Sequence, residues 1–121
     1  MNGAVSGVVR FDKVADGLAE ISVALAEAVR GKGLGRAVIN ATSRSELEGN
    51  GFRIIRALVR DDNLSSRKAF LAAGYKIFGC VVLGDCRTDV LVKRGPHIES
   101  SLERCLILSG LKPQDIQSID G

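Results

Sequence analysis

Three glycines at alternate positions, Gly31, Gly33 and Gly35, separate a stretch that alternates like a strand from a stretch that repeats like a helix. That arrangement constrains the chain more than any other feature. Glycine lets backbone approach a ligand closely, and the first turn of a helix presents unpaired N–H groups. A glycine loop emptying into a helix is therefore an anion site, reinforced by the helix dipole. Arg30, Lys32 and Arg36 surround it with positive charge, and a pyrophosphate is its natural guest. The spacing does not fit the Gly-x-Gly-x-x-Gly fingerprint of dinucleotide sites, nor the Gly-x-x-x-x-Gly-Lys-Ser/Thr phosphate loop.

The flanking patterns place the loop in a fold. Residues 5–11 predict a strand, Ala15-Asp16-Gly17 a turn, and residues 18–25 a second strand in which Ile21, Val23 and Leu25 alternate with Ser22 and Ala24. Residues 34–48 predict a helix, stopped by Gly49-Asn50-Gly51. Residues 53–60 predict a strand. Asp61-Asp62-Asn63 caps a helix over 64–73, which Gly74 ends. Two further strands follow at 75–83 and 88–93, turning at Gly84-Asp85, and Gly95-Pro96 breaks the chain. Residues 97–108 predict a last helix with Ile98, Leu102, Cys105 and Leu106 on its apolar face, and 114–121 a short turn and frayed end. The fold class is α/β (or α+β), a mixed, mostly antiparallel sheet flanked by helices. The strands around the first helix run parallel through a right-handed crossover. Residues 1–96 form the core region and 97–121 a C-terminal helix and tail.

Composition narrows the function. The chain has 121 residues, enough for one core, and a net charge of +3. Aromatic residues make up 4% with no tryptophan, a poor basis for stacking on nucleic-acid bases. A basic face of Arg30, Lys32, Arg36, Arg53, Arg56 and Arg60 is the remaining nucleic-acid reading. Cys80, Cys86 and Cys105 match no zinc spacing, so no metal is expected; they read as reduced thiols of a cytoplasmic protein. No apolar run approaches the roughly 20 residues of a membrane span, and residues 1–7 lack the basic-then-apolar pattern of a secretory signal.

Two motifs now carry a resemblance. Arg30-Gly31-Lys32-Gly33-Leu34-Gly35 is similar to the Arg/Gln-x-x-Gly-x-Gly/Ala motif between the fourth strand and third helix of the GNAT N-acetyltransferase superfamily. Asn63, Ser66, Phe70, Gly74 and Tyr75 resemble the same superfamily's later motif, in the same order. The resemblance covers residues 5–93. It implies a GNAT-like acyl-CoA N-acyltransferase fold in which backbone from Arg30 to Arg36 holds the pyrophosphate of acetyl-coenzyme A. Pantetheine would lie along Val23, Ala24 and Leu25, with Asn63 bonding its arm. Ser66 and Phe70 belong to the same coenzyme set, and Asn63 has a second reading as a plain helix cap.

The resemblance also implies chemistry. Acetyl transfer to an amine needs a base for the amine proton and donors for the thioester oxygen. Ala19-Glu20-Ile21 is similar to the context of the family's catalytic glutamate, which makes Glu20 the candidate base, and the amide of Ala24 or Leu25 the candidate oxyanion donor. Where the family often carries an acidic tyrosine, this chain has Phe70, and a phenyl ring donates no proton. Tyr75, water or nothing then protonates the leaving thiolate. A complete family domain opens with a strand and two helices that are not evident here, so the acceptor half is not in view. The expected acceptor is a small-molecule primary amine, with an amino-sugar nucleotide ahead of a protein N-terminus or lysine. A coenzyme-binding module without activity is the alternative. The apolar face of the last helix suggests a homodimer.

Overall fold

The computed structural model describes residues 7–25, 34–95, 100–112 and 116–119. Strands β1 (Gly7–Ala15) and β2 (Leu18–Leu25) form an antiparallel hairpin. Its turn needs a left-handed residue, which Gly17 supplies at φ +89°. Helix α1 (Leu34–Gly49) leads to β3 (Ile54–Arg60), which pairs with β2 in parallel, as the strand–helix–strand pattern predicts. Helix α2 (Leu64–Ala72) follows, then the hairpin of β4 (Lys76–Leu83) and β5 (Cys86–Arg94). Helix α3 (Ser100–Ile107) and strand β6 (Ile116–Ile119) complete the order. The sheet has six strands in the order β1-β2-β3-β5-β4-β6, and β2–β3 is its parallel pair.

β3 is central, and four of its first five residues, Ile54 to Ala57, are buried. Strand alternation then sorts the core into two layers. On one face Ala19, Ile21, Ile55, Ala57, Val59 and Leu91 pack under α1 and α2, which contribute Ile39, Phe70 and Ala73. On the other face Leu18, Ile54, Phe78, Val90 and Val92 pack under Ile107 of α3.

Two expectations change at the C-terminal end. Residues 116–119 form a strand on β4 and do not fray, because the outer edge of β4 offers unpaired backbone and the segment supplies a ladder to it. In α3 the side chain that reaches the core is Ile107, which is fully buried, whereas Cys105 is exposed and Leu106 half-buried. The helix is turned so that its apolar contact falls on the chain's own sheet. Ile98 and His97 lie outside the described residues.

Candidate functional site

The β2–β3 ladder stops partway. Its pairs run from Leu18↔Ile54 to Ile21↔Ala57, although β2 continues to Leu25 and β3 to Arg60. Beyond that point β2 stays paired to β1, with Val23 opposite Val9 and Leu25 opposite Gly7. β3 stays paired to β5, with Leu58 opposite Val90 and Arg60 opposite Thr88. The two strands thus part company between residues 22–25 and 58–60, each with one ladder edge turned toward the gap. Backbone polar groups in such a gap need partners, and an extended ligand with amides can supply them. Val23 is half-buried at this level, and the backbones of Ala24 and Leu25 line the same stretch.

Two helix starts stand above the gap, on one face of the sheet. Leu34 opens α1, Gly35 is buried in its first turn, and Arg36 is exposed beside it. Arg30, Gly31, Lys32 and Gly33 lie outside the described residues. Asn63 caps α2: its side-chain oxygen accepts from the backbone N–H of Ser66 at 3.3 Å and from the Ser65 hydroxyl at 3.4 Å. Both the cap role and exposure at the site therefore fall on one residue. Ser66 is half-buried in the first turn of α2, its amide committed to Asn63.

The aromatic pair falls elsewhere. Phe70 is 3% exposed and Tyr75 2%, and their rings meet edge to face with centroids 5.0 Å apart. The hydroxyls of Tyr75 and Ser43 share a hydrogen bond of 2.6 Å inside the core. Burial pushes the Tyr75 phenol far above its ordinary value, with the Ser43 bond opposing only in part. The expectation that Tyr75 serves as an acid, and that Phe70 lines the coenzyme, is corrected on this geometry. Neither ring reaches solvent, and the phenol has its partner already. The Gly-Tyr step, with Gly74 at φ +93°, turns the chain so that Tyr75 drops beneath α1.

Glu20, the candidate base, is half-buried and held in an ion pair. Its Oε1 accepts from Arg56 Nη2 at 2.7 Å and Nε at 3.1 Å, across the register pair Glu20↔Arg56. Arg56 is 3% exposed, so it leaves the basic face on which it was counted. Its Nη1 donates to the carbonyls of Ile107 at 2.8 Å and Ser109 at 2.6 Å, at the C-terminal end of α3. A buried guanidinium with a carboxylate and two helix-end carbonyls is well satisfied. Glu20 lies one residue before the last β2–β3 pair, on the face opposite α1 and α2.

A cleft of about 580 Å³ opens between α1 and α2, lined by Arg36, Asn40, Gly74 and Lys93 among others. The sequence singled out Arg36 alone of the polar residues in it. Lys93 and Asn40 were missed because they come from separate elements and belong to no local motif. Among the described residues no group of three or more His, Cys, Asp or Glu side chains is placed to hold a metal, and no helix is long and apolar enough to cross a membrane.

Comparison with known proteins agrees with this architecture. An aminoglycoside acetyltransferase solved with coenzyme A superposes with a TM-score of 0.68 at 22% identity, over 86% of this chain and 65% of that one. A GNAT-family acetyltransferase from Bacillus anthracis gives 0.69 at 16% identity, over 74% and 58%. A ribosomal-protein-S5-alanine acetyltransferase from Vibrio fischeri gives 0.66 at 18%, over 77% and 56%. At these identities the likeness establishes the fold, and the chain spans about three-fifths of the length of such structures. A search of curated proteins finds no sequence match. The acetyltransferase (GNAT) family model matches residues 1–75, the stretch that holds the glycine loop, the parted strands and the cap of α2, and the chain belongs to that family.

Proposed function

We propose that this chain moves an acetyl group from acetyl-coenzyme A to a primary amine of a small molecule. The carrying observation is the gap between β2 and β3, with the starts of α1 and α2 above it. An extended pantetheine suits the unpaired backbone of residues 22–25, and the glycine loop with Arg30, Lys32 and Arg36 suits its pyrophosphate. Asn63, exposed at the start of α2, would bond the arm through the part of its amide that the cap leaves free. The structural neighbours include acetyltransferases solved with acetyl-coenzyme A or coenzyme A, which supports the donor.

In this reading the amine nitrogen attacks the thioester carbonyl, a new N–C bond replaces the S–C bond, and the thiol of coenzyme A leaves. Donor and acceptor approach the gap from opposite faces, since the helix starts lie on one and Glu20 on the other. Glu20 takes the amine proton, positioned by Arg56. Backbone N–H at Ala24 or Leu25 serves the developing oxyanion. With Phe70 and Tyr75 in the core, water returns the proton to the thiolate. An amino sugar on a nucleotide is the preferred acceptor class, and neighbours named for aminoglycosides and spermidine keep small polar amines in front.

A second reading, a coenzyme-binding module without turnover, draws on the burial of both aromatic candidates for the acid. Calorimetry with acetyl-coenzyme A, followed by thiol release against a panel of amines, separates the two. Transfer predicts turnover with at least one amine, and Glu20→Gln should then lower kcat by about a hundredfold while leaving coenzyme affinity intact. Tight binding with no turnover for any amine establishes the module. Absence of coenzyme binding removes both.

A further inference from the structure

Strand β1 is the outer strand of the sheet. β2 pairs with one of its edges, and among the described residues no strand pairs with the other. β2, β3, β5 and β4 each have partners on both sides. An open edge presents a row of unpaired N–H and C=O groups and invites another strand.

The residues along β1 say what fits that edge. Directly opposed residues share a face, so Arg10 lies with Ser22 and Asp12 with Glu20, on the face opposite α1 and α2. Asp12 and Glu20 are two acids side by side, an unfavourable pair unless cations answer both. Arg56 answers Glu20. Among the described residues the ion-pair partner of Asp12 is Arg10 of its own strand, Nε to Oδ2 at 3.0 Å, and both side chains stay more than half exposed. On the other face Val9 and Phe11 are half-buried against the α1–α2 layer. That apolar layer thus reaches the open edge of the sheet.

A second β1, laid antiparallel about a two-fold axis at Phe11, complements this row. Arg10 then faces the partner's Asp12, and Asp12 faces the partner's Arg10, two unlike pairs on one face. On the other face Phe11 meets the partner's Phe11, and Val9 meets the apolar stem of the partner's Lys13. Neighbouring registers lose this match. An axis at Arg10 sets two arginines together, and one at Asp12 sets two aspartates together. An axis between residues pairs side chains from opposite faces of the sheet. The bulge between Lys13 and Ala15 ends regular pairing there, which limits the ladder to Val9–Lys13 of each copy and leaves little room to slip.

We infer that β1 is a homodimer edge: two copies join β1 to β1 about Phe11, making one continuous sheet in which the partner's Arg10 stands beside Asp12. The occupant is a second copy because the charges of the strand complement themselves in that register. The inference stands whether or not the chain transfers acetyl groups. A single strand pair buries less than the ~1,200 Å² of a standard interface, so the dimer should dissociate on dilution.

The test is sedimentation equilibrium of the whole chain and two variants over a range of concentration and salt. The native chain should dimerise, and salt should weaken the dimer by screening its exposed pairs. Arg10→Asp sets like charges opposite each other twice and should raise the dimer Kd about thirtyfold. Arg10→Asp combined with Asp12→Arg exchanges the two charges and should restore the native Kd to within about threefold. Both positions are exposed, so circular dichroism should show the fold kept in each variant. Hydrogen exchange should show the outward amides of β1 protected only where the dimer forms. A native chain that stays monomeric overturns the proposal, and slow exchange of those amides in such a monomer would mean that the chain's own residues cover the edge. A dimer of unchanged Kd in Arg10→Asp, or a double variant no tighter than the single one, overturns it as well.

Discussion

The two faces of the sheet are covered by different means. On one, two helices lay a broad apolar layer over Ala19, Ile21, Ile55, Ala57, Val59 and Leu91, and the Ser43–Tyr75 hydrogen bond is buried within it. On the other, an eight-residue helix sets Ile107 into the core beside a buried arginine. Broad cover holds by area removed from water. Narrow cover holds by direction: Arg56 reaches two carbonyls that only the end of α3 supplies, and Glu20 balances its charge. The broad face also carries the helix starts assigned to the coenzyme, so its packing and the donor site should fail together.

Breaking the broad face should have the largest effect. Phe70→Ala removes a buried ring and should cost about 3–5 kcal/mol, read by urea unfolding, with coenzyme affinity falling as α2 loosens. Breaking the narrow face with Arg56→Met should cost about 3 kcal/mol, because the Glu20 carboxylate and two carbonyls lose their donor. Here coenzyme affinity should hold. An equal loss of affinity in both variants would mean that the faces are not independent.

The smallest effect sharpens the contrast. Tyr75 is the chain's sole tyrosine, so the absorbance of its phenolate reports one site. Burial favours the neutral phenol in the folded state, which raises its pKa. Its contribution to stability is full below the unfolded value of about 10 and is lost as pH climbs above it. The folded chain should show almost no phenolate at about pH 11, and the denatured chain about nine-tenths of it. A phenolate in the folded chain at that pH would place Tyr75 at the surface and reopen its candidacy as an acid.

The fold was legible where residue patterns are local. Alternation over β2, the glycine stops of α1 and the Asn63 cap all appear at their predicted places, because each depends on neighbours in sequence. Of the candidate site, the cap of α2 was legible for the same reason; the glycine loop is also a continuous motif, but Arg30 to Gly33 lie outside the described residues. What the sequence concealed depends on register. Glu20 and Arg56 are 36 residues apart and become partners only once β2 and β3 align in parallel. Lys93 reaches Asn40 across 53 residues through a helix and two strands. Strand β6 is short and polar at its centre, and only the unpaired edge of β4 gives it a reason to extend. Tyr75 and Phe70 looked chemical by motif position, and their direction came from the Gly74 turn.

Arg56 gives the molecule a schedule as well as a clamp. The ribosome delivers β1 through β5 before the residues that answer the guanidinium at Ile107 and Ser109. During that interval Leu18, Ile54, Phe78, Val90 and Val92 have no helix above them, and a cation sits half-satisfied among them. A nascent chain in this state offers an apolar face and the open edge of β4 at once, the combination that draws chaperones or neighbouring nascent chains. Arrival of α3 and then β6 closes both exposures in sequence. Addition of α3 and β6 therefore does for this sheet what a late-added subunit does for an assembly: it covers an apolar face and an open edge together.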